Sequence, residues 1–309
     1  MTAATATAPR ARKAKAEPAP VTAASARKDL VRLLRENAYD HQLWSVWSDF
    51  VELAAINLAS VDLAQRDVRE ARYLDIVKRY KPEQVARFAH AFGALTLALE
   101  EEPSDVLGSV FMELELGNKW KGQFFTPFSM CRLMAALQVD DDLRAKVASQ
   151  GYVTANDPAV GGGAMLIAFA VEMAEAGIPY QDHLHVTAQD IDERAAHMAY
   201  VQLSLLGVPG VIVVGDTLRL ETRSRWYTPM HVLGGWSQRL RGGWPLTELP
   251  RLIDAALALE TPANESSEAP AAEPVAATTP PAAPDVQIAL PWGDQAPAAA
   301  PRARKRRAA

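Results

Sequence analysis

Three acidic turns, spaced through the middle of the chain, carry the residue types most able to do chemistry. The first reads Asp157-Pro158-Ala159-Val160-Gly161-Gly162-Gly163, entered from the apolar run Tyr152-Val153-Thr154 and left by the helix-like run Ala164-Met165-Leu166. Glycines between a strand end and a helix start let a ligand lie against bare backbone, and the helix aims its first N–H groups into the turn. The second turn is Asp190-Ile191-Asp192 and the third is Gly215-Asp216-Thr217-Leu218. Asp190 can accept hydrogen bonds from both hydroxyls of a ribose, with Ile191 packed on a purine face. Asp216 can accept from an exocyclic amino group, with Leu218 beside the ring. Each turn alone is commonplace: a helix-start charge explains Asp190, and a turn residue explains Asp216. Acids at three successive strand ends point together to a nucleoside ligand.

These turns need parallel strands to bring them together, and the sequence supplies an alternation of strand and helix. Tyr152–Asn156, Leu184–Gln189 and the β-branched run Val211–Val214 read as strands, the last suited to burial on both faces. Between them, Ala164–Ala176 reads as a helix stopped by Gly177, and Asp192 caps a helix reaching Leu206 and stopped by Gly207. Met230–Leu233 is expected as a fourth strand and Pro250–Leu259 as a last helix. Such a run implies a parallel sheet with right-handed crossovers.

Ahead of this region the chain reads helical from Asp29 to Glu102. Apolar residues recur at helical spacing, among them Leu30, Leu33 and Leu34, then Trp44, Trp47 and Phe50, then Phe88, Phe92 and Leu95. This aromatic stripe reads as core. Further helices are expected from Pro103 to Leu116, from Thr126 (N-cap) and Pro127 (first turn) to Leu137, and from Asp140 to Gln150. The expected division is a disordered basic tail over 1–28, a helical region over 29–116 and an α/β domain over 117–259. A disordered Ala/Pro-rich tail with a basic end occupies 260–309, and within it the apolar island Val286–Trp292 reads as a short docking segment.

The 309 residues carry a net charge of −5, with 49% of them hydrophobic, so one or two domains with a sizeable core are expected. Basic residues gather at both ends, at Arg10, Arg12, Lys13 and Lys15 and again at Arg302, Arg304, Lys305, Arg306 and Arg307. Both a solubilising role and sequence-independent phosphate contact fit these tails. Cys131 is the lone cysteine, which excludes an internal disulfide and a cysteine-based metal site. His183 and His185 lack accompanying ligands, so they read as structural and no metal is expected. No leader-like start and no membrane-length apolar run is present, and a cytoplasmic protein without membrane contact is expected.

Two nucleotide ligands fit poorly. The glycine turn lacks the third glycine of the dinucleotide fingerprint, and Asp190 lies too far along the chain for it. No Gly-Lys-Ser/Thr phosphate loop is present for ATP.

With these residues in view, the stretch from about Gly117 to Leu233 resembles the N6-adenine DNA methyltransferases, specifically the modification subunits of type I restriction systems and their short relatives. The segment Gly122-Gln123-Phe124-Phe125-Thr126-Pro127 resembles the family's Gly-Gln-Tyr/Phe-Phe-Thr-Pro. Asp157 to Gly163 resembles its Asp-Pro-Ala-Cys-Gly-x-Gly turn, with Val160 in place of Cys. The resemblance implies a partial Rossmann-like S-adenosylmethionine-dependent methyltransferase fold behind a helical N-terminal region. It implies S-adenosylmethionine as cofactor, with Phe125, Thr126, Pro127, Asp157, Pro158, Gly161 and Gly163 around its methionine part. Asp190 and Ile191 would meet its ribose and adenine, with Asp216 and Leu218 at the adenine.

It also implies DNA as substrate and a flipped adenine stacked on an aromatic after an Asn/Asp-Pro-Pro motif. No Asn-Pro-Pro or Asp-Pro-Pro occurs in the sequence. At the corresponding place stand Gly235, Trp236 and Gln238, with Trp236 as the candidate stacking residue. A turn with a packing tryptophan is the competing explanation. The later strands of the family's sheet and a target-recognition domain are not evident. An open sheet edge, covered by a partner subunit or a second copy, is therefore expected. Three functions follow from these features: an adenine-specific DNA methyltransferase, a catalytically inactive DNA- or protein-binding relative, and a methyltransferase for RNA or protein.

Overall fold

The computed structural model describes residues 22–116, 126–242 and 286–287. Five helices come first. They are α1 (Ala23–Asn37), α2 (Leu43–Leu58), α3 (Arg66–Val77), α4 (Pro82–Glu101) and α5 (Val106–Glu113). A single 3-10 turn, Ala59–Val61, follows α2. Helix α1 begins inside the stretch expected to be a tail, because Thr22 and Ser25 form a reciprocal capping box that satisfies its first donors. Leu30 and Leu34 are fully buried where α1 packs along α4. Pro82 opens α4 at its first turn, where a missing N–H costs nothing.

The α/β part follows in the order α6 (Phe128–Ala136), α7 (Asp141–Gln150), β1 (Val153–Asp157), α8 (Ala164–Glu175), α9 (Tyr180–His183), β2 (Leu184–Asp190), α10 (Glu193–Leu205), β3 (Gly210–Val214), β4 (Ser224–Tyr227), α11 (Pro229–Leu233), α12 (Trp236–Gly242) and β5 (Val286–Gln287). Asp140 caps α7 by accepting from Leu143 N–H, and Gly151 ends it in the left-handed conformation at φ +82°. The expected cap at Thr126 lies one residue further on: Pro127 is the N-cap of α6 and Phe128 its first residue.

The sheet order is β4-β3-β2-β1-β5. β1, β2 and β3 are parallel, with Asp157 opposite Ala188 and Asp190 opposite Val214. β4 runs antiparallel to β3, and β5 pairs parallel with β1 at Ala155 and Asn156. Of the expected segment Val286–Trp292, only these two residues are described, and Pro250–Leu259 lies outside the described residues.

The expected strand at Met230–Leu233 is instead helix α11, and the fourth strand is Ser224–Tyr227. Thr228 caps α11 by accepting from His231 N–H, and Pro229 pre-sets its first turn. That local cap outweighs a four-residue apolar run, which by itself does not distinguish helix from strand.

Helices α8 and α10 lie together on one face of the sheet, as right-handed crossovers in one direction require. Helix α6 packs over α8 and α2 over α10. The first part of α8 is therefore buried, from Ala164 through Ala170, and one continuous core runs from Ala26 to Trp226 across both regions. On the other face, β-strand alternation aligns Asn156 and Thr187 with His185, and α11 and α12 cover the His185 end. No described helix is long and apolar enough to cross a membrane.

Candidate functional site

The turns after β1, β2 and β3 converge at the carboxyl ends of three adjacent parallel strands, the place where open α/β sheets bind ligands. They are tied to one another by hydrogen bonds. Gly161 N–H donates to Asp190 Oδ2 at 2.9 Å, and Val160 N–H donates to Gln189 O at 2.9 Å. Gly215 N–H donates to Asp190 O at 2.9 Å, and Thr217 Oγ1 donates to Pro158 O at 2.7 Å. The three loops thus form one rim.

Each acid has a distinct setting. Asp157, at the end of β1, is buried and accepts from Ala159 N–H at 3.1 Å. Burial pushes its carboxyl above the usual range, and the charge of Asp190 adds to the rise. Asp190 is half-buried; its Oδ1 accepts from Asp192 N–H at 2.8 Å while Oδ2 holds Gly161. Burial raises its pKa as well, against the pull of those backbone donors. Asp216 accepts from the N–H groups of Leu218 and Arg219 at 3.0 and 3.2 Å, with the Arg219 guanidinium 3.7 Å away.

The apolar partners expected of these acids stand in solvent. Ile191 is 59% exposed and Leu218 is 97% exposed, although large apolar side chains usually find cover. Two bare apolar groups beside two acids suit the face and edge of a planar polar ring.

The glycine turn leads straight into α8. Gly163 is the N-cap of α8 at φ +96°, and a Cβ there would lie 3.4 Å from Ala199 Cα on α10. The left-handed backbone and the helix contact both call for glycine. Thr126 and Pro127 are exposed at the start of α6, whose body packs on α8. Pro158 is exposed on the rim, and Phe125 lies outside the described residues. Among the described residues no cluster of histidine, cysteine and carboxylate side chains suits a metal ion. Cys131 is buried, and that burial pushes its thiol up to about 11, which disfavours the thiolate.

Trp236 is a correction to the sequence expectation. It is 0% exposed and packs edge-on against Tyr152, beside His185, with the Arg239 guanidinium 3.6 Å from its ring. Tyr152 precedes β1 and His185 is the second residue of β2, so this tryptophan sits at the amino ends of the strands, opposite the rim. The structure thus places the ring in the core and away from the rim.

Two residues that pattern reading passed over lie beneath the glycine turn. Asp105 looks like an ordinary N-cap before α5, and it is one. Gln202 sits within the apolar run Tyr200-Val201-Gln202-Leu203, and a buried polar residue there was the available signal. Both reach the underside of the glycine turn.

Residues 107–233 match the family model described as N-6 DNA Methylase. A protein described as a class I S-adenosylmethionine-dependent methyltransferase from Listeria monocytogenes aligns at 17% identity and TM-score 0.33, over 62% of this chain and 53% of that one. The methyltransferase subunit of a type I restriction-modification system from Streptococcus thermophilus aligns at 15% identity and TM-score 0.34, over 66% of this chain and 61% of that one. The chain therefore spans between half and two thirds of the length of either structure. No curated protein matches the chain.

Proposed function

We propose, from the match of residues 107–233 to the N-6 DNA methylase family model, that the chain binds S-adenosylmethionine at the three-loop rim and transfers the methyl group to adenine N6 in DNA. The observation that supports the reading is the mutual hydrogen bonding of the three turns, which ties the loops that carry Asp190, Ile191, Asp216 and Leu218 into one rim. When bound, S-adenosylmethionine supplies an electrophilic methyl group on a sulfonium.

The chain's own residues divide the binding. Asp190 accepts from the ribose hydroxyls with the lone pairs not used by Gly161 and Asp192. Asp216 accepts from the adenine amino group, and Ile191 and Leu218 cover the ring. The glycine turn and the first turn of α8 leave backbone N–H groups for a carboxylate, favoured by the positive end of the helix. Asp157 and Asp190 give the rim a negative character that suits a cationic ligand.

A DNA substrate and a partner subunit or second copy are part of this proposal. Titration calorimetry of the full chain with S-adenosylmethionine tests the cofactor. Saturable binding that is lost in Asp190→Ala is expected; no binding to the folded wild-type chain overturns the reading. Transfer of a tritiated methyl group to adenine in DNA tests the reaction.

A second reading is a methyltransferase-fold module that binds cofactor or DNA without transfer. Two observations favour it: no Asn/Asp-Pro-Pro motif occurs in the sequence, and Trp236 is sealed away from the rim. Under that reading calorimetry succeeds and the tritium assay stays at background, alone and with a restriction-modification partner subunit.

A further inference from the structure

Beneath the glycine turn, a buried amide joins three segments that lie far apart in the sequence. Gln202, fully buried on α10, accepts at Oε1 from Leu107 N–H at 2.9 Å. Its Nε2 donates to Asp105 Oδ1 at 2.9 Å and to Gly162 O at 2.7 Å. Flipping the amide would set its NH2 against the Leu107 donor and its oxygen against two acceptors, so the contacts fix its orientation. Asp105 is 4% exposed and also accepts from Gly108 N–H at 2.8 Å, which caps α5. A Cβ on Gly162 would come within 2.9 Å of Asp105 Oδ1. The carboxylate therefore fills the room a side chain at position 162 would need.

The turn is consequently held at three points. Gly161 N–H is held by Asp190, Gly163 N–H by Val160 O, and Gly162 O by Gln202. The peptide between Gly162 and Gly163 is pinned on both sides, and its plane sets the direction in which α8 starts. The Gln202 contact connects this peptide to the N-terminal helical region, through Asp105 and Leu107.

We propose that Gln202 and Asp105 are positioning residues for the cofactor site. They act through the Gly162–Gly163 peptide and touch no ligand. The proposal rests on the reading that the turn holds S-adenosylmethionine. A buried amide with all its partners satisfied specifies a single geometry, and removing it leaves unpaired groups that the turn must move to satisfy.

The test uses the full chain with Gln202→Met, Asp105→Ala and the conservative Asp105→Asn. S-adenosylmethionine affinity is measured by calorimetry well below each melting temperature. Amide resonances of 15N-glycine-labelled protein are recorded without ligand. Gln202→Met and Asp105→Ala are expected to weaken binding by roughly tenfold or more, the order of one lost buried hydrogen bond. They are also expected to shift the resonances of Gly161, Gly162 and Gly163. Asp105→Asn keeps an acceptor for Gly108 and Gln202, so it is expected to restore both readouts.

Wild-type affinity in folded Gln202→Met or Asp105→Ala overturns the positioning role. Should neither fold, Gln202→Glu, which keeps the acceptor for Leu107 and loses both donors, is read in the same way. If the wild-type chain itself binds no S-adenosylmethionine, the functional reading fails. The glycine resonances then decide positioning alone, and unshifted resonances overturn it.

Discussion

Replacing Asp190 with asparagine preserves the shape of the side chain and removes half of what it accepts. Oδ2 takes the Gly161 N–H at 2.9 Å and Oδ1 takes the Asp192 N–H at 2.8 Å. Both oxygens face backbone donors, so an amide serves one and turns its NH2 against the other. Hydrogen bonds to charged groups are worth about 1.5–3 kcal/mol, and the half-buried setting places this one near the lower end. About 1.5 kcal/mol of folding stability is expected to go with it. A ribose hydroxyl that loses a charged acceptor costs about as much again, or roughly tenfold in affinity. Release of Gly161 disturbs the turn as well, so the expected loss for Asp190→Asn is between about 10-fold and 100-fold. Asp190→Ala removes both acceptors and is expected to lose about 1000-fold. Calorimetry with S-adenosylmethionine and S-adenosylhomocysteine, alongside urea unfolding, reads both effects. The two ligands share ribose and adenine, so their affinities should fall in parallel. Binding of Asp190→Ala within about a factor of two of wild type, on the scale of those hydrogen-bond energies, would refute the assignment. So would a fall for one ligand and not the other.

Gly163→Ala should destabilise the fold by about 1–2 kcal/mol, from the left-handed backbone and the Ala199 contact, and should weaken cofactor binding in the same protein. A melting curve and calorimetry check both effects. Trp236→Ala should cost about 3–5 kcal/mol of stability because the ring is fully buried. Its cofactor affinity, measured on folded protein in the cold, should match wild type; a selective loss of affinity would return this residue to the site. Acidification should destabilise the protein through buried neutral histidines. Burial lowers His185 to about 3 and His197 and His231 to about 4. The unfolded chain is then the better proton binder, so this stability is complete above about pH 6.5 and is lost as pH falls toward 4. Each histidine contributes a slope of about 1.4 kcal/mol per pH unit within that window. Asp105, Asp157 and Asp190, raised by burial, act in the opposite sense. The histidine contribution is therefore read as the difference in slope between wild type and His185→Gln, in urea midpoints from pH 7 to pH 5. Equal slopes would contradict the burial argument.

Much of the α/β fold was legible because its signals are local. Asp192 caps α10, Gly151 ends α7, and the β-branched run at 211–214 forms a buried strand. Signals that depend on context were misread. Ser224–Tyr227 carries an arginine and no clear alternation, yet it pairs along the edge of β3, where Arg69 donates to Arg225 O and lies over the Trp226 ring. The composition around Thr22 suggested a tail, while the capping box with Ser25 starts a helix whose apolar side finds α4.

The sequence by itself determined the order of the three acidic turns and the kinds of group they present, because strand ends, caps and glycine stops are written within a few residues. The tertiary structure alone decided which groups act together. Gln202 meets Asp105 across 97 positions and Gly162 across 40, and no periodicity encodes such a meeting. It arises when α5, α10 and the glycine turn pack and every buried polar group must find a partner. The same packing placed Trp236 at the far end of the sheet. An aromatic that local spacing made a candidate for stacking is thus buried between Tyr152 and Arg239, where its apolar area is best removed from water.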